Sequence, residues 1–435
     1  MPQWNNTEFQ GEDLPCKLAA THHEIFHQRP QLVAQAPGSW PLIGEHTDYF
    51  GGIALYGLVN RNLYLALTPN KKSTIDLRIL DSESFEACLE RSGCVELNDF
   101  LSKTSSEEKS PHTYAQNSSD VVRLLAATTS ALMQRQLLSR HHLGWDITVV
   151  TNIPRDIGLG EETALQAAFA LALLSHNHQV DVPTRARLSE LGAQASELIH
   201  PGLATKSRLT AVLRGADSGF CAVDHADGAV TRSPGIDSSR YHTLGIYPHA
   251  HHTQASVVEN QVDAQQIAHD LEQRKALCEN AAHGFGVGLL RLLPQATTRV
   301  PEWLRAYHQV HDDSSQPAVS DAEKWLNFWE AEIQRAKDIT NALHSHRYAE
   351  VWAVINQSRH DITAHYGLNG PEDALCSLAL QQGALSARPL VAGIHSSAVA
   401  FVERNHSQDF CTHLHNVGIH TTDLPEGNPA RVIPV

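Results

Sequence analysis

The sequence lacks the features of a secreted or membrane-bound protein. Its seven cysteines are scattered, odd in number and without a C-x-x-C pair, which fits a reducing compartment better than a disulfide framework. The residues from Met1 to Glu8 are polar and lack the basic stretch and apolar core of a signal peptide. The longest apolar run, from Ala167 to Leu174, is far shorter than the roughly 20 residues of a membrane-spanning helix. These absences predict a cytoplasmic protein.

Positive charge is also in short supply. The chain has 33 Lys and Arg against 48 Asp and Glu, a formal net charge of −15. This balance argues against a nucleic acid or an anionic membrane as a partner. The 42% hydrophobic and 19% charged fractions are those of an ordinary globular protein. At roughly 100–200 residues per domain, 435 residues are enough for two or three structural units.

Histidine, by contrast, is abundant, with 28 residues. Neighbouring histidines occur at 22–23, 141–142 and 249–252, but none has the cysteine or carboxylate spacing of a structural zinc site. We therefore expect solvent-exposed surface histidines and no metal site. The sequence assigns these rings no role.

A mixture of strand and helix patterns predicts an α/β or α+β protein. Strands are predicted at residues 31–36, 63–67, 145–154, 220–224 and 390–402, the first ending at a Pro37-Gly38 break. Helices are predicted at residues 121–138, 164–174, 269–284, 321–345 and 349–358. Polar composition predicts an exposed loop at 89–119 and a linker at 311–317. A boundary near residues 200–220 predicts two lobes, 1–210 and 211–435.

The segment from Ala36 to Gly52, APGSWPLIGEHTDYFGG, resembles the galactokinase signature, with eight consecutive matches from Leu42 to Tyr49. Further segments correspond to the family's phosphate loop, its central helix and its last glycine motif: residues 154–165, 272–280 and 383–401. The resemblance implies the α+β GHMP-kinase fold, with a cleft between two lobes of mixed sheets and helices. It also implies transfer of the γ-phosphoryl group of ATP, with Mg²⁺, to O1 of galactose.

The sugar-holding part of the resemblance is retained. Glu45, His46 and Asp48 stand at the family's sugar-contacting positions, and carboxylates with an imidazole suit the hydroxyls of a hexose. In an alternative interpretation the run persists because it makes a turn between two strands, with Thr47 and Asp48 capping it. One contact of the family is missing, since Leu271 stands where the family has a sugar-contacting tyrosine.

The catalytic part is not retained. Ser39 replaces the arginine of the opening signature, and counting back from Asp224 places Arg208 at the position of the catalytic aspartate. No Asp or Glu occurs from Leu198 to Ala216. An arginine in that position cannot accept a proton at neutral pH.

The nucleotide motifs are altered as well. The phosphate loop reads Gly158-Leu159-Gly160-Glu161-Glu162-Thr163, so two carboxylates replace the serines that would contact phosphate and Mg²⁺. They satisfy the helix N-terminus but repel phosphates; in the alternative interpretation, one of them replaces serine as a Mg²⁺ ligand. In the last motif the family's glycines become Val391, His395 and Ser396, and Gly393 remains.

The sequence thus predicts a galactokinase-like protein that is impaired or inactive as a kinase and retains a galactose-like sugar as its small-molecule partner. ATP and Mg²⁺ are expected for the family, and the altered motifs oppose their binding here. Two alternatives stay open: an active galactokinase or related sugar kinase with non-standard residues, and a regulatory protein that binds no small molecule.

Overall fold

The structure is a computed structural model. It describes residues 14–88, 92–97, 118–139, 144–175, 180–203, 205–248, 254–311 and 316–435. The helices are α1 Leu14–Phe26, α2 Ser118–Gln134, α3 Glu161–Leu174, α4 Val182–Ile199, α5 Lys206–Arg214, α6 Gln254–Phe285, α7 Ala296–Val310, α8 Val319–His344, α9 Tyr348–Ala364, α10 Pro371–Gln381 and α11 Ser407–Asn416. The strands are β1 Leu32–Ile43, β2 Ile53–Pro69, β3 Thr74–Leu80, β4 Gly93–Glu96, β5 Trp145–Thr151, β6 Phe220–Asp224, β7 Val230–Ser233, β8 Tyr241–Pro248, β9 Ser386–Pro389, β10 Ala398–Glu403, β11 Ile419–Asp423 and β12 Arg431–Pro434.

Among the described residues, eight strands form a mixed sheet around the long strand β2. The order β12-β1-β2-β5-β3-β4 is antiparallel except for the parallel pair β3 and β5. The first half of β2 pairs with β6, which in turn pairs with β7, and its second half pairs with β5. Three strands of this sheet, β6, β7 and β12, lie after residue 210 in the sequence. The division into lobes 1–210 and 211–435 stays a prediction.

A second sheet has the order β11-β8-β10-β9, with all its pairs antiparallel. One face of it packs on α10 and α11 through a cluster that includes Leu375, Phe410 and Leu414. Another core cluster joins α6, α7 and α8 around Trp329 and Tyr366. Phe50, from the signature, packs in this cluster and attaches the signature to the helical part of the molecule.

Helix α3 is buried almost all round. Every residue from Ala164 to Leu173 is buried, and the helix packs against β1 and β2. A helix that is apolar on every face is suited to the middle of a protein. Its N-terminus, at Glu161, follows directly from the phosphate loop, so the core fixes the position of that loop.

The fold corrects several expectations. The Pro37-Gly38 pair is a register shift inside one continuous strand, β1, because a bulge accommodates the proline without ending the pairing. Of the predicted strand 390–402, only the end from Ala398 is a strand, β10; residues 390–397 connect it to β9, on which it pairs. The predicted loop 89–119 contains β4; residues 89–91 and 98–117, with 312–315 of the predicted linker, lie outside the described residues.

One of the clustered histidines also departs from expectation. His22 is buried, and its ring nitrogens contact the hydroxyls of Thr148 and Thr68 at 3.0 and 2.9 Å. Burial and the neighbouring His23 lower the pKa of His22 to about 4. The clusters at 141–142 and 249–252 lie outside the described residues. Of the helices that the structure describes, none combines the length and hydropathy of a membrane span.

Candidate functional site

The turn of the signature, residues 44–52, is fixed by buried hydrogen bonds. Gly44 has a φ of 85°, and a Cβ atom there would lie 2.1 Å from the carbonyl oxygen of Ile53. Its N–H donates to Oε1 of Glu332 on α8 at 3.1 Å, while Thr47 Oγ1 donates to its carbonyl at 2.8 Å. The turn is therefore held in part by a carboxylate that is distant in the sequence.

Glu45 points into the protein. Its Oε2 accepts a hydrogen bond from Nη2 of Arg388 at 3.2 Å, and its Oε1 accepts one from the N–H of Ala392 at 3.3 Å. Burial raises the pKa of this carboxyl, against the opposing effect of Arg388. Glu45 thereby connects the signature to the last glycine motif.

His46 is buried next to Glu45 and has a positive φ of 58°. Its Nε2 lies 3.8 Å from Glu45 Oε1 and has no hydrogen-bond partner. Burial, followed by the charges of Arg274 and Arg388, lowers the pKa of His46 to about 3. The imidazole is therefore neutral at physiological pH, with one ring nitrogen able to bind a polar group.

Asp48 is half-buried at the start of α5. Its Oδ2 accepts a hydrogen bond from the N–H of Lys206 at 3.0 Å, and its Oδ1 accepts one from the N–H of Tyr49 at 3.2 Å. A carboxylate at a helix N-terminus satisfies a free N–H and the positive end of the dipole. The cap that Asp48 makes is thus on α5 and not on the turn itself, and it positions the helix that carries Arg208.

The structure brings Ser39 and Arg208 to the same glycine of the phosphate loop. A Cβ atom on Gly160 would lie 2.8 Å from Nη1 of Arg208 and 3.2 Å from Oγ of Ser39. Arg208 Nη1 donates to the carbonyl of Gly158 at 2.8 Å, and Nη2 lies 3.5 Å from the carbonyl of Leu390. Arg208 thus bridges the phosphate loop and the last glycine motif. The buried Oγ of Ser39 has no hydrogen-bond partner.

The first turn of α3 carries Glu161 and Glu162. Gly160 precedes them in a left-handed conformation, with a φ of 71°. Glu162 Oε1 lies 2.8 Å from Nε2 of His200. Burial opposes protonation of His200, but the hydrogen bond and charge of Glu162 raise its pKa overall. This pair holds the carboxylate of Glu162 near His200, which directly follows α4.

The last glycine motif closes over the phosphate loop. A Cβ atom on Gly158 would lie 2.8 Å from Cγ2 of Val391 and 3.3 Å from Cδ2 of His395. Ser397 Oγ donates to the carbonyl of Ile157 at 2.9 Å. The space beside these loop residues is filled by side chains.

The remaining glycine of this motif, Gly393, donates its N–H to Oε1 of the buried Glu372. Glu372 Oε2 has no hydrogen-bond partner. Burial raises the pKa of Glu372 to about 7, against the effect of the Gly393 hydrogen bond. A carboxyl group that changes charge near neutrality therefore lies beside the motif.

Four charged residues around this site were missed as site residues: Arg274, Glu332, Glu372 and Arg388. Arg274 and Arg388 lie in segments that resemble the family, but no local pattern shows that they are buried. Among the residues that the structure describes, no group of three or more His, Cys, Asp or Glu side chains is arranged to hold a metal ion.

Comparisons with known proteins agree on the relationship of the chain. The galactokinase galactose-binding signature matches residues 20–69. The galactokinase of Streptomyces coelicolor is 23% identical over 396 residues, which are 90% of this chain and 90% of that protein. The galactokinase of Mannheimia succiniciproducens is 22% identical over 376 residues, which are 86% and 84% of the two chains.

Solved structures share the fold. Lactococcus lactis galactokinase, in a crystal structure with galactose, has a TM-score of 0.69 at 17% identity and covers 96% of this chain and 99% of its own. Methanococcus jannaschii mevalonate kinase has a TM-score of 0.54 at 11% identity and covers 93% and 98%. The two-lobed α+β GHMP-kinase fold and the resemblance to galactokinases are both confirmed.

Proposed function

We propose that this chain, which carries the galactokinase galactose-binding signature on a GHMP-kinase fold, binds a galactose-like sugar and has lost most or all phosphoryl-transfer activity. The position of Arg208 is the observation that carries the proposal. It lies beside Ser39 and Gly160 and donates to the carbonyl of Gly158. In the family, the corresponding position holds the carboxylate that receives the proton of the sugar hydroxyl, and a guanidinium cannot do this at neutral pH.

The residues present do not fit ATP and Mg²⁺. Val391 and His395 fill the space beside Gly158, where a phosphate would need close approach to the backbone. Glu161 and Glu162 stand at the helix end that would hold phosphates. At about 4 Å and an effective dielectric constant near 20, each like-charge contact costs on the order of 4 kcal/mol before the charge of Mg²⁺ screens it. We therefore derive no catalytic step through the nucleotide.

Sugar binding is supported by the signature itself. The imidazole of His46 is neutral and its Nε2 is unpartnered, so it can exchange a hydrogen bond with a hydroxyl. Asp48 is half-buried beside α5 and has further acceptor positions on its two oxygens. Glu45 contributes by holding the last motif against the signature through Arg388 and Ala392.

An active galactokinase with non-standard residues is the second candidate. It is favoured by the similarity to the Streptomyces coelicolor galactokinase over 90% of both chains. In that case Glu161 or Glu162 would take the place of serine as a Mg²⁺ ligand.

A regulatory protein without a small-molecule ligand is the third candidate. It is favoured by the internal partners that Glu45 and Asp48 already have.

Thermal unfolding with galactose alone, Mg·ATP alone and both separates these candidates. A ligand that binds only the folded protein stabilises it by about 2.7 kcal/mol at 100 times its Kd. We expect galactose to raise Tm and Mg·ATP to leave it unchanged, with transfer of phosphate to galactose at background. Ordinary turnover of galactose would establish the second candidate, and no shift with either ligand would favour the third.

Restoring the catalytic residues tests the loss directly. Arg208→Asp alone is expected to stay inactive, because residues that act as a unit are non-additive. Recovery of turnover requires at least the combination Ser39→Arg, Glu161→Ser, Glu162→Ser and Arg208→Asp, in which Val391 and His395 still fill the space beside Gly158. Activity in the single variant would show that Arg208 alone blocks the reaction.

A further inference from the structure

Hydrogen bonds from outside the helix hold the first turn of α5. The N–H of Lys206, its first residue, donates to Oδ2 of Asp48 at 3.0 Å. The hydroxyl of the next residue, the buried Ser207, is hydrogen-bonded to Nε2 of His225 at 2.7 Å. Thr205, which precedes the helix, makes no capping hydrogen bond with its side chain. The start of α5 therefore depends on side chains that come from other parts of the sequence.

His225 is itself attached to the signature turn. It directly follows β6, and its N–H donates to the carbonyl of Gly52 at 2.9 Å. This contact continues the antiparallel pairing of β6 with β2 past the ends of the two strands. The N–H of Gly52 donates in turn to the carbonyl of Thr47 at 2.8 Å. The backbone of His225 is thus fixed by the same turn that carries Asp48.

These contacts form a closed cycle that contains Asp48. From Asp48 the chain leads along the turn to Gly52, which accepts a hydrogen bond from the backbone of His225. The ring of His225 contacts Ser207, and the N–H of the residue before Ser207 donates back to Asp48. The carboxylate of Asp48 and the start of α5 therefore hold each other in place, and the ring of His225 is the contact that closes the cycle.

The ring of His225 carries no charge in this cycle. The charges that face it come from both signs: Asp48 and Asp224 favour the protonated ring, while Lys206 and Arg291 oppose it. Burial is the largest effect and lowers the pKa of His225 below its usual value. The imidazole is neutral at physiological pH, so it holds the hydroxyl by a hydrogen bond and adds no positive charge beside Asp48.

We propose that His225 is a positioning residue for sugar binding, which fixes the carboxylate of Asp48 through the first turn of α5. The proposal rests on sugar binding by the signature and adds to it a residue from outside the signature. Its physical basis is preorganisation. A binding side chain that is already held by outer hydrogen bonds loses less freedom when the ligand binds.

Titration with galactose tests the proposal on the full chain. His225→Gln places an amide near the position of Nε2, whereas the shorter side chain of His225→Asn does not reach Ser207. We expect His225→Asn to raise the Kd of galactose by about fivefold, the size of one hydrogen bond, and His225→Gln to keep it within about twofold. Ser207→Ala removes the other partner and should match His225→Asn. Because both variants break one bond, their combination should be no weaker than either alone.

A second series tests whether the effect passes through Asp48. Asp48→Asn keeps a cap for α5 but carries no charge. In this background His225→Asn should change the Kd of galactose less than about twofold, because a neutral amide gains less from its orientation than a carboxylate does. An effect of full size in this background would show that His225 acts on the sugar by another route, and it would overturn the proposal.

His22→Asn is the matched control. The ring of His22, like that of His225, contacts hydroxyl groups, but it lies on α1 against the large sheet. This variant should lower Tm and leave the Kd of galactose unchanged. Unfolding of each variant without ligand verifies that it is folded. If His225→Asn does not fold, Ser207→Ala gives the same test, since it deletes only a hydroxyl group.

Equal galactose affinity in the unmodified protein, His225→Asn and Ser207→Ala would overturn this proposal and leave the proposed function standing. Binding by His225→Gln as weak as that by His225→Asn would also overturn it. No binding of galactose by the unmodified protein would reject the proposed function and this proposal with it.

Discussion

The signature turn and the phosphate loop both depend on glycine, but their glycines face different surroundings. A Cβ atom on Gly44 would collide with the backbone of Ile53, and one on Gly52 would collide with Thr47, so both glycines are required by neighbours in or next to the signature. Gly158 and Gly160 face side chains of the changed positions, Val391 and Arg208. The first turn needs its glycines to fold. The phosphate loop needs its glycines as well, since both have a positive φ and a Cβ atom on either would lie 2.8 Å from a side chain of a changed position.

This difference points to two reasons why a residue of this chain can still match the family's motif. A residue that stabilises the fold persists whether or not a ligand binds, whereas a residue that contacts only the nucleotide can change once the reaction is lost. Glu45 and Asp48 have internal hydrogen bonds, so the fold alone explains part of their retention. The unpartnered Nε2 of His46 has no such explanation. Substitution of His46 is therefore the most direct test of the interpretation that the signature binds a sugar.

The largest expected effect comes from removing the support of the signature turn. Glu332→Ala deletes the acceptor of Gly44 N–H and Ser358 Oγ and leaves Arg335 with one fewer partner. Loss of one partner of a buried charged network costs about 3–5 kcal/mol. Chemical denaturation measures this change. Glu330→Ala, at an exposed position on the same helix, is the control. An equal effect of the two variants would show that the network does not hold the turn.

The pH dependence of stability tests the burial of Glu372 beside the last glycine motif. The pKa of Glu372 is raised from 4.5 to about 7. A raised pKa means that its contribution is fully present below about pH 4.5 and is lost as the pH rises through 7. The difference in pKa corresponds to at most about 3.4 kcal/mol of stability. Glu372→Gln should flatten stability between these pH values. A profile that matches the unmodified protein would contradict the raised pKa.

Sugar binding should depend on Asp48. Asp48→Ala removes a charged acceptor and should weaken binding of the sugar by about 1.5–3 kcal/mol. Because Asp48 also caps α5, the variant should lose about 1 kcal/mol of stability. Asp48→Asn is the control, because asparagine is also a good helix cap but carries no charge. Sugar titration of both variants therefore distinguishes the effect of the lost charge from the effect of the lost cap. Unchanged sugar affinity in Asp48→Ala would leave Asp48 a structural residue.

The smallest expected effect is on nucleotide affinity. Mg·ATP should bind at least tenfold more weakly than to an ordinary galactokinase, a difference of about 1.4 kcal/mol. Glu161→Ser with Glu162→Ser should recover affinity if charge repulsion is the cause. No gain would point to the packing of Val391 and His395 on Gly158. A micromolar Kd for Mg·ATP in the unmodified protein would contradict the prediction outright.

Much of the fold could be predicted because its signals are local. The apolar run of α3 and the pattern of β5 place these elements within a few residues of their observed bounds. The missed features depend on partners elsewhere. β1 continues through Pro37 because β2 pairs on both sides of the bulge. Residues 390–397 are a connection because Ala398 pairs back onto Pro389.

The site was predictable in its residues and not in their contacts. The galactokinase resemblance identified Ser39 and Arg208 separately, and only folding brings them to Gly160. Glu332 and Glu372 are ordinary helical glutamates in the sequence. Their importance comes from burial against Gly44 and Gly393, which are 288 and 21 residues away. Charge patterns within one helix cannot reveal such pairs.

The pairing of β12 with β1 has a consequence for synthesis of the protein. Leu32 pairs with Pro434 and Gln35 with Arg431, so one edge of the large sheet is completed by residues made long after the other. During translation β1 exposes unpaired N–H and C=O groups on that side, and such an edge can pair with other chains. Contacts this distant also slow folding. This edge of the sheet therefore stays open until residues 431–434 have been made and have paired with β1.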